Sequence, residues 1–176
     1  MNPPPLWLLT GPSGAGKTTF CRQLAQQARA SGWKVAGLLS PAWMETGQKI
    51  GILAKDLRSG EQRPLAYNEP QPHTNHELGP WHFDDTVLEW GNQAIANSCP
   101  CDLLIVDELG PLEFNAGLGL TAAFDVLSAG NFRVGCVVVR PSLLDDALIR
   151  WTWAESLDIL DASIQKLLPS PPSAER

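Results

Sequence analysis

The chain has 176 residues, of which 44% are hydrophobic and 18% charged, and its net charge is −6 at pH 7. This composition is typical of one globular domain with a buried core, and the acidic balance argues against a nucleic-acid-binding surface, which is usually basic. No apolar run approaches the ~20 residues of a membrane-spanning helix, and residues 1–5 lack the charged and apolar regions of a signal peptide. We therefore expect a cytoplasmic protein with no membrane partner, whose four cysteines are reduced.

The first predicted strand, residues 6–9, and the first predicted helix, residues 18–29, enclose a Gly-x-x-x-x-Gly-Lys-Thr sequence. We call residues 11–18 the phosphate loop, because its glycines let the backbone fold around a phosphate chain with the N–H groups pointing inward. Lys17 is expected to reach the β and γ oxygens, and the Thr18 hydroxyl to ligate Mg²⁺. A chance glycine-rich turn is the alternative, but a strand before and a helix after the loop are the context that nucleoside triphosphate binding requires. The residues expected to contact the nucleotide are Gly11, Pro12, Ser13, Gly14, Ala15, Gly16, Lys17, Thr18 and Thr19.

The middle of the chain predicts further strands around an irregular segment. Residues 34–39 predict a second strand, which closes a right-handed β-α-β unit in a parallel sheet. Residues 48–66 predict a β-hairpin insertion. Residues 68–80 contain three prolines and show no periodicity, so they predict a long functional or mobile loop. A helix is predicted for residues 83–97, capped by Asp84 or Asp85.

A second motif follows at residues 102–108, where four consecutive aliphatic residues predict a central parallel strand covered on both faces. The strand ends in Asp107 and Glu108, which gives it the form of a Walker B strand. Asp107 is expected to hold Mg²⁺ through water beside Thr18, and Glu108 to orient and deprotonate a water that attacks the γ-phosphate. The alternatives are a solvated acid at a strand end for Asp107 and an ordinary surface carboxylate for Glu108. Ligands bind at the carboxyl ends of strands in open α/β sheets, so both motifs should meet in one crevice.

The remaining chain predicts one more strand at the centre of the sheet, and Arg140 follows it on the crevice side. Arg140 is a candidate to contact the γ-phosphate, but a surface arginine at the strand end is the favoured alternative. Arg22, one turn into the first helix, is expected to lie outside the site. The predicted elements are helix 118–129, strand 134–139, helix 143–151, a short strand within 153–160, and a short helix capped by Asp161 that ends at 168. Residues 1–168 then form a single domain, and residues 169–176 form a disordered tail.

Two other groups of residues suggest ligands less directly. Cys99 and Cys101 suggest a metal site, but zinc sites usually show a second Cys/His pair at ligand spacing, and the chain has none with a clear pattern. One tryptophan in or near a loop is a candidate to stack on the base, although a role in the core or toward a partner is favoured for any single one. These tryptophans are Trp43, Trp81, Trp151 and Trp153.

Residues 11–18 and residues 107–113 together resemble the small nucleoside-triphosphatase family typified by the thermophilic nucleoside-triphosphatases and the cancer-related nucleoside triphosphatase. The second stretch reads Asp-Glu-Leu-Gly-Pro-Leu-Glu, and the family's motif is Asp-Glu-aliphatic-Gly-x-Met/Leu-Glu. The resemblance covers about residues 6–140 and implies a RecA-like P-loop core, a three-layer α/β sandwich with a mostly parallel central sheet. Pro111 stands where family members often carry Lys. Glu113 matches the last position of the motif, and its role is either catalytic or helix-capping.

The resemblance also implies slow, Mg²⁺-dependent hydrolysis of several nucleoside triphosphates. The chain has no Asn/Thr-Lys-x-Asp guanine motif, which favours ATP or a permissive site. The first alternative is a small-molecule or nucleotide kinase, in which residues 68–80 close over an acceptor. The second is a nucleotide-gated adaptor with slow hydrolysis, whose exposed tryptophans and acidic surface contact a protein partner.

Overall fold

The computed structural model describes residues 2–168 and contains a ten-stranded sheet packed between helices. The strands are β1 (Leu6–Thr10), β2 (Val35–Leu39), β3 (Ala42–Glu45), β4 (Gln48–Asp56), β5 (Gln62–Tyr67), β6 (Thr74–Leu78), β7 (Trp81–Asp84), β8 (Cys101–Leu109), β9 (Phe132–Val139) and β10 (Glu155–Asp158). The helices are α1 (Lys17–Ala30), α2 (Asp85–Ala96), α3 (Pro111–Phe114), α4 (Ala122–Ala129), α5 (Leu144–Arg150) and α6 (Ile164–Leu167). None of the helices in residues 2–168 is long and apolar enough to cross a membrane. The predicted tail, residues 169–176, lies outside the described residues.

The sheet has the strand order β10-β1-β9-β8-β2-β4-β5-β7-β6, and β3 pairs with β4. The five strands from β10 to β2 are parallel, whereas every pairing that involves β3 to β7 is antiparallel. The sheet is therefore mixed, and the expectation of a mostly parallel sheet is wrong for the sheet as a whole. The predicted hairpin is β4 and β5, and short turns add further antiparallel strands to it without the helical crossover that parallel strands need.

Successive residues of the parallel strands point into two cores, one on each face of the sheet. Leu8, Leu104 and Val106 belong to the core that α2, α4 and α5 cover. Leu9 and Ile105 belong to the core that α1 and α6 cover. All five side chains are fully buried, and the layers form the expected three-layer α/β sandwich.

Residues 68–80 are not an irregular loop, because they contain β6 and lead directly into β7. The prediction missed β6 because its residues alternate between half-buried and exposed and include a single large aliphatic side chain, Leu78. A side chain outside the strand also holds this segment. The Asp85 carboxylate accepts a hydrogen bond from Asn75 Nδ2 at 2.6 Å and lies 2.6 Å from His76 Nδ1.

The helix ends differ in places from the predicted bounds and caps. Asp84 accepts hydrogen bonds from two backbone N–H groups in the first turn of α2, so one of the two predicted caps is the observed one. The helix predicted from residue 118 begins only at Ala122, because Gly119 has a φ of 75°, which is incompatible with a right-handed helix. Asp161 lies in a short 3-10 turn before α6 and does not cap that helix.

Candidate active site

The phosphate loop connects β1 to α1 at the carboxyl edge of the parallel strands. Gly14 and Gly16 have φ angles of 77° and 94°, a left-handed conformation that favours glycine. Gly16 is the N-cap of α1, and no side chain caps this helix end. The first N–H groups of α1 therefore lack the side-chain acceptor that usually satisfies them, and an anion can take its place.

The Lys17 ammonium lies folded over the phosphate loop. Its Nζ donates to the carbonyl oxygen of Gly11 at 2.8 Å and to that of Pro12 at 2.7 Å. An ammonium has three donors, so these two bonds leave one for a ligand. The loop thus holds a positive charge beside the N-terminus of α1.

Asp107 lies within β8, and its side chain is almost completely buried, with 2% of the residue exposed. Its Oδ2 accepts the backbone N–H of Ser40 at 3.2 Å. Burial raises the pKa of Asp107 to about 6, although hydrogen bonds from Ser40 and from the Thr18 side chain act in the opposite direction. A buried carboxylate of this kind gains from a neighbouring cation, because the cation stabilises its charged form.

The residues around Asp107 fit a Mg²⁺ ion better than a metal held by protein alone. Mg²⁺ usually binds one or two protein oxygens and keeps water and substrate phosphates as its other ligands. The Thr18 hydroxyl and the Asp107 carboxylate line the same cavity and could supply two such oxygens. Within residues 2–168, no three His, Cys, Asp or Glu side chains are grouped to hold a metal ion.

Glu108, the next residue of β8, has a more open environment. Its side chain is 36% exposed, and Oε1 accepts a hydrogen bond from Arg140 Nε at 2.8 Å. Arg140 directly follows β9, and both side chains line the same cavity as the phosphate loop. Arg140 is thus an exposed arginine at the strand end, as the favoured alternative has it, and it is also a partner of the second carboxylate.

Glu113 is buried beside the site but is fully engaged with the backbone. Its two carboxylate oxygens accept the N–H of Gly110 at 2.8 Å and that of Leu120 at 2.9 Å. Burial raises the pKa of Glu113, and these two hydrogen bonds oppose the rise. The geometry supports the capping role for Glu113, because it ties the start of α3 to the segment before α4.

A single cavity of about 880 Å³ joins the phosphate loop, Asp107, Glu108 and Arg140. Arg22 also lines this cavity, contrary to the prediction that it lies outside the site. The reason is that one turn of α1 brings Arg22 back to the side that Thr18 and Thr19 occupy.

The cavity continues beyond the phosphate loop to an apolar end that the sequence did not predict. We call this end the apolar compartment; it is lined by Ile52, Leu65, Leu78, Trp81, Phe83 and Leu88. Trp81 is the tryptophan, among the four candidates, that lines the cavity. Trp151 is fully buried in a core, and Trp43 packs edge-on against Tyr67 at 6.0 Å between ring centroids. Trp81 follows a segment predicted to be irregular, and no pattern in the sequence distinguishes it from the other three.

Cys99 and Cys101 lie near each other at the start of β8, with 3.9 Å between their Sγ atoms. Burial raises the pKa of both thiols, that of Cys101 to about 12. In the part of the chain that the structure describes, no third His, Cys, Asp or Glu side chain joins them in a metal-binding group. Both thiols are thus protonated and uncharged at neutral pH.

Comparison with known proteins gives one consistent family. Residues 7–150 match the family model described as NTPase. Nucleoside-triphosphatase THEP1 of Ignicoccus hospitalis is 32% identical to this chain over 147 residues, which are 82% of each protein. Nucleoside-triphosphatase THEP1 of Caldivirga maquilingensis is 29% identical over 130 residues, which are 72% of this chain and 70% of the relative.

Two solved structures share the fold. The solution structure of a human cancer-related nucleoside triphosphatase superposes with a TM-score of 0.69 over 94% of both chains, at 23% identity. The crystal structure of THEP1 from Aquifex aeolicus superposes with a TM-score of 0.61 over 93% of this chain and 96% of that one, at 14% identity. On the sequence matches and the residues that the NTPase model covers, this chain belongs to the NTPase family of nucleoside-triphosphatases.

Proposed function

We propose that this protein is a Mg²⁺-dependent nucleoside triphosphatase that hydrolyses ATP and GTP to the diphosphate and phosphate. The observation that carries the proposal is the meeting of the phosphate loop with Asp107 and Glu108 in one cavity. Thr18 and Lys17, at the start of α1, lie on one side of it, and the two carboxylates come from β8. A phosphate chain bound by the loop would thus lie next to both a metal-binding carboxylate and a candidate base.

Each residue has a role that follows from its environment. The phosphate loop amides and Lys17 bind the β- and γ-phosphates, and Thr18 and Asp107 would hold Mg²⁺. Bound Mg²⁺ supplies positive charge that stabilises the phosphate oxygens as the leaving group departs. Because Asp107 is buried and Glu108 is partly exposed, the first carboxylate suits the cation and the second suits a water molecule.

Glu108 acts as the base that orients the attacking water and takes its proton. Arg140 is a positioning residue in this scheme, because its bond to Oε1 sets the orientation of the Glu108 carboxylate. The guanidinium has further N–H donors, which suits a contact with the γ-phosphate once a nucleotide is bound. These roles need both side chains to stay at the carboxyl ends of β8 and β9, where the sheet holds them.

Glu108→Gln tests the proposal most directly. We expect phosphate release to fall by about 100-fold or more, because an amide cannot take the proton of the attacking water. Binding of a non-hydrolysable ATP analogue, measured by calorimetry with Mg²⁺, should stay within a factor of about three, since the nucleotide contacts are unchanged. Glu61→Gln, at an exposed turn, is the matched control and should keep wild-type turnover. Wild-type turnover in Glu108→Gln would remove Glu108 from the mechanism.

The metal requirement and the base preference need a separate assay. Phosphate release from ATP, GTP, CTP and UTP is measured with Mg²⁺ and again with EDTA. We expect EDTA to stop release with every nucleotide, because Thr18 and Asp107 then lack the ion that neutralises the phosphates. Undiminished hydrolysis in EDTA would contradict the Mg²⁺ role.

A further inference from the structure

The apolar compartment is a built part of the cavity and is not needed to activate water. Its walls come from four strands and one helix, namely β4, β5, β6, β7 and α2. Leu65 and Leu88 are buried, and the other four side chains are half-buried. Ligand sites are usually concave and apolar with a few polar groups at one end, and this cavity has that form.

The sheet order places the compartment beyond Glu108 from the phosphate loop. The loop follows β1, Glu108 lies on β8, and the compartment is built on β4, β5 and β7, which come later in the same direction across the sheet. Lys17 and Glu108 line the same cavity, so a γ-phosphate held by Lys17 would lie between the loop and Glu108. A molecule in the compartment would therefore approach the γ-phosphate from the side on which the base lies.

The chemistry of the lining selects the occupant. Two of the six side chains are aromatic, Trp81 and Phe83, and the other four are aliphatic. Lys49 is a charged residue of the same cavity, but its Nζ lies over the Trp81 ring, 4.6 Å from the centroid. This environment suits a flat, apolar body, and the polar end of the cavity at Glu108 suits a hydroxyl group.

We propose that the apolar compartment binds a small alcohol with an aromatic or other apolar body, and that this alcohol replaces water as the phosphoryl acceptor. The hydroxyl oxygen forms a bond to the γ-phosphorus, and the bond from that phosphorus to the β,γ-bridging oxygen breaks. The products are a phosphate monoester and a nucleoside diphosphate, and Glu108 takes the hydroxyl proton. The proposal rests on the triphosphatase site described above, because it uses the same phosphate loop and the same base.

The test measures how the γ-phosphate divides between water and alcohol. The protein is incubated with ATP and Mg²⁺ and with benzyl alcohol, 2-phenylethanol or 3-phenylpropanol, with ethanol at the same concentration as the control. Phosphate and phosphate ester are then quantified by ³¹P NMR. We expect the ratio of ester to phosphate to exceed that of ethanol by about tenfold or more for at least one aromatic alcohol, because the ring adds apolar contacts that ethanol lacks.

Variants of the compartment show where the alcohol binds. Trp81→Ala should lower the ester-to-phosphate ratio of the preferred alcohol to the ethanol level, and Trp81→Phe should restore most of it, because a flat ring is present again. The matched control is Trp43→Ala, since Trp43 packs on Tyr67 and does not line the cavity. This variant should keep the wild-type ratio. An unchanged ratio in Trp81→Ala would overturn the assignment of the compartment.

The outcomes separate this inference from the triphosphatase proposal. Phosphate release with equal ester ratios for ethanol and all aromatic alcohols would overturn the inference alone. Inhibition by the aromatic alcohols that is competitive with ATP, without ester, would assign the compartment to the nucleotide base and also overturn it. Neither phosphate nor ester from the wild-type protein would overturn both proposals.

Discussion

Two adjacent carboxyl groups of β8 differ in their surroundings more than in their chemistry. Asp107 is 2% exposed, whereas the Glu108 side chain is 36% exposed and bonded to Arg140. Burial raises the pKa of Asp107 to about 6, so its charged form is disfavoured until a cation is present. We therefore expect the proposed Mg²⁺ position to be destabilising when the protein is free of metal, as is common at functional sites.

Asp107→Asn should stabilise the metal-free protein. The pKa of Asp107 is higher in the folded state than in the unfolded state, so its contribution to stability is present below about pH 4 and is lost as the pH rises through about 6. In EDTA at about pH 8, we expect the variant to raise the free energy of unfolding by about 1 to 3 kcal/mol and to flatten this pH dependence. Urea denaturation at several pH values measures both effects.

The exposed residue Asp161 provides the control for this substitution. Asp161→Asn should change the free energy of unfolding by less than about 0.5 kcal/mol under the same conditions, because surface substitutions seldom do more. With saturating Mg²⁺ and an ATP analogue, the wild type should have a higher free energy of unfolding than the Asp107 variant, since the ligands bind the wild type better. A less stable Asp107→Asn protein in EDTA would contradict the account of the buried carboxylate.

At the scale of elements, the close approach of β2 to β8 depends on a residue without a side chain. Gly37 has a φ of 108°, and a Cβ placed on it would lie 1.9 Å from the carbonyl oxygen of Ile105. The two strands are parallel neighbours, and Gly37 pairs with Ile105. Because β8 also carries Asp107 and Glu108, this contact helps to place the two carboxylates.

Gly37→Ala should therefore be strongly destabilising. The added methyl group overlaps backbone atoms, which cannot move aside as a flexible side chain can, and the φ is strained for alanine. We expect a loss of about 3 kcal/mol or more in the free energy of unfolding, measured with urea. Gly60→Ala is the matched control, since Gly60 has a φ of 80° with open space around it, and it should lose only about 1 kcal/mol. Equal losses in the two variants would mean that steric overlap at β2 is unimportant.

The elements that the sequence predicted well are those whose signal is local. β1, β2, β8 and β9 are apolar runs because both faces of the parallel sheet are covered, and their buried side chains mark them directly. β6 and β7 lack such runs, because none of their residues is fully buried. Their pairing depends on the neighbouring β5 and on Asp85, which the sequence pattern of residues 68–80 does not contain.

The residues of the candidate site also differ in whether a local sequence signal marks them. Residues of the phosphate loop are close in sequence, and the Asp107-Glu108 pair follows an apolar strand, so both could be predicted from spacing. The bond between Glu108 and Arg140 joins residues 32 positions apart and depends on how two strand ends pack. The apolar compartment draws on five elements, and no single stretch of sequence carries its pattern.

At the scale of the molecule, the sheet consists of two parts that differ in how deeply their side chains are buried. Residues 103–106 of β8 are fully buried, and the strand lies between β9 and β2. Within residues 2–168, β6 is at the end of the strand order, pairs with β7 alone, and has no buried residue. The cavity spans both parts, so the phosphate end rests on the well-packed strands and the apolar end on the edge of the sheet. In the proposed site, the candidate catalytic groups thus lie on well-buried strands, and we expect the apolar wall to open more easily.

Hydrogen exchange followed by mass spectrometry tests this division. In the free protein, we expect amides of β8 to exchange only through global unfolding. Amides of β6 and β7 should exchange through local opening, whose free energy is lower than that of global unfolding by about 2 kcal/mol or more, because fewer buried contacts hold these strands. Mg²⁺ with a non-hydrolysable ATP analogue should slow exchange in residues 11–18 and leave β6 nearly unchanged. Adding the preferred aromatic alcohol should then slow exchange in β6 and β7, and Trp81→Ala should lose this second effect while keeping the first. Equal protection of β6 and β8 in the free protein would contradict the division, because it would mean that the apolar compartment opens only when the whole sheet unfolds.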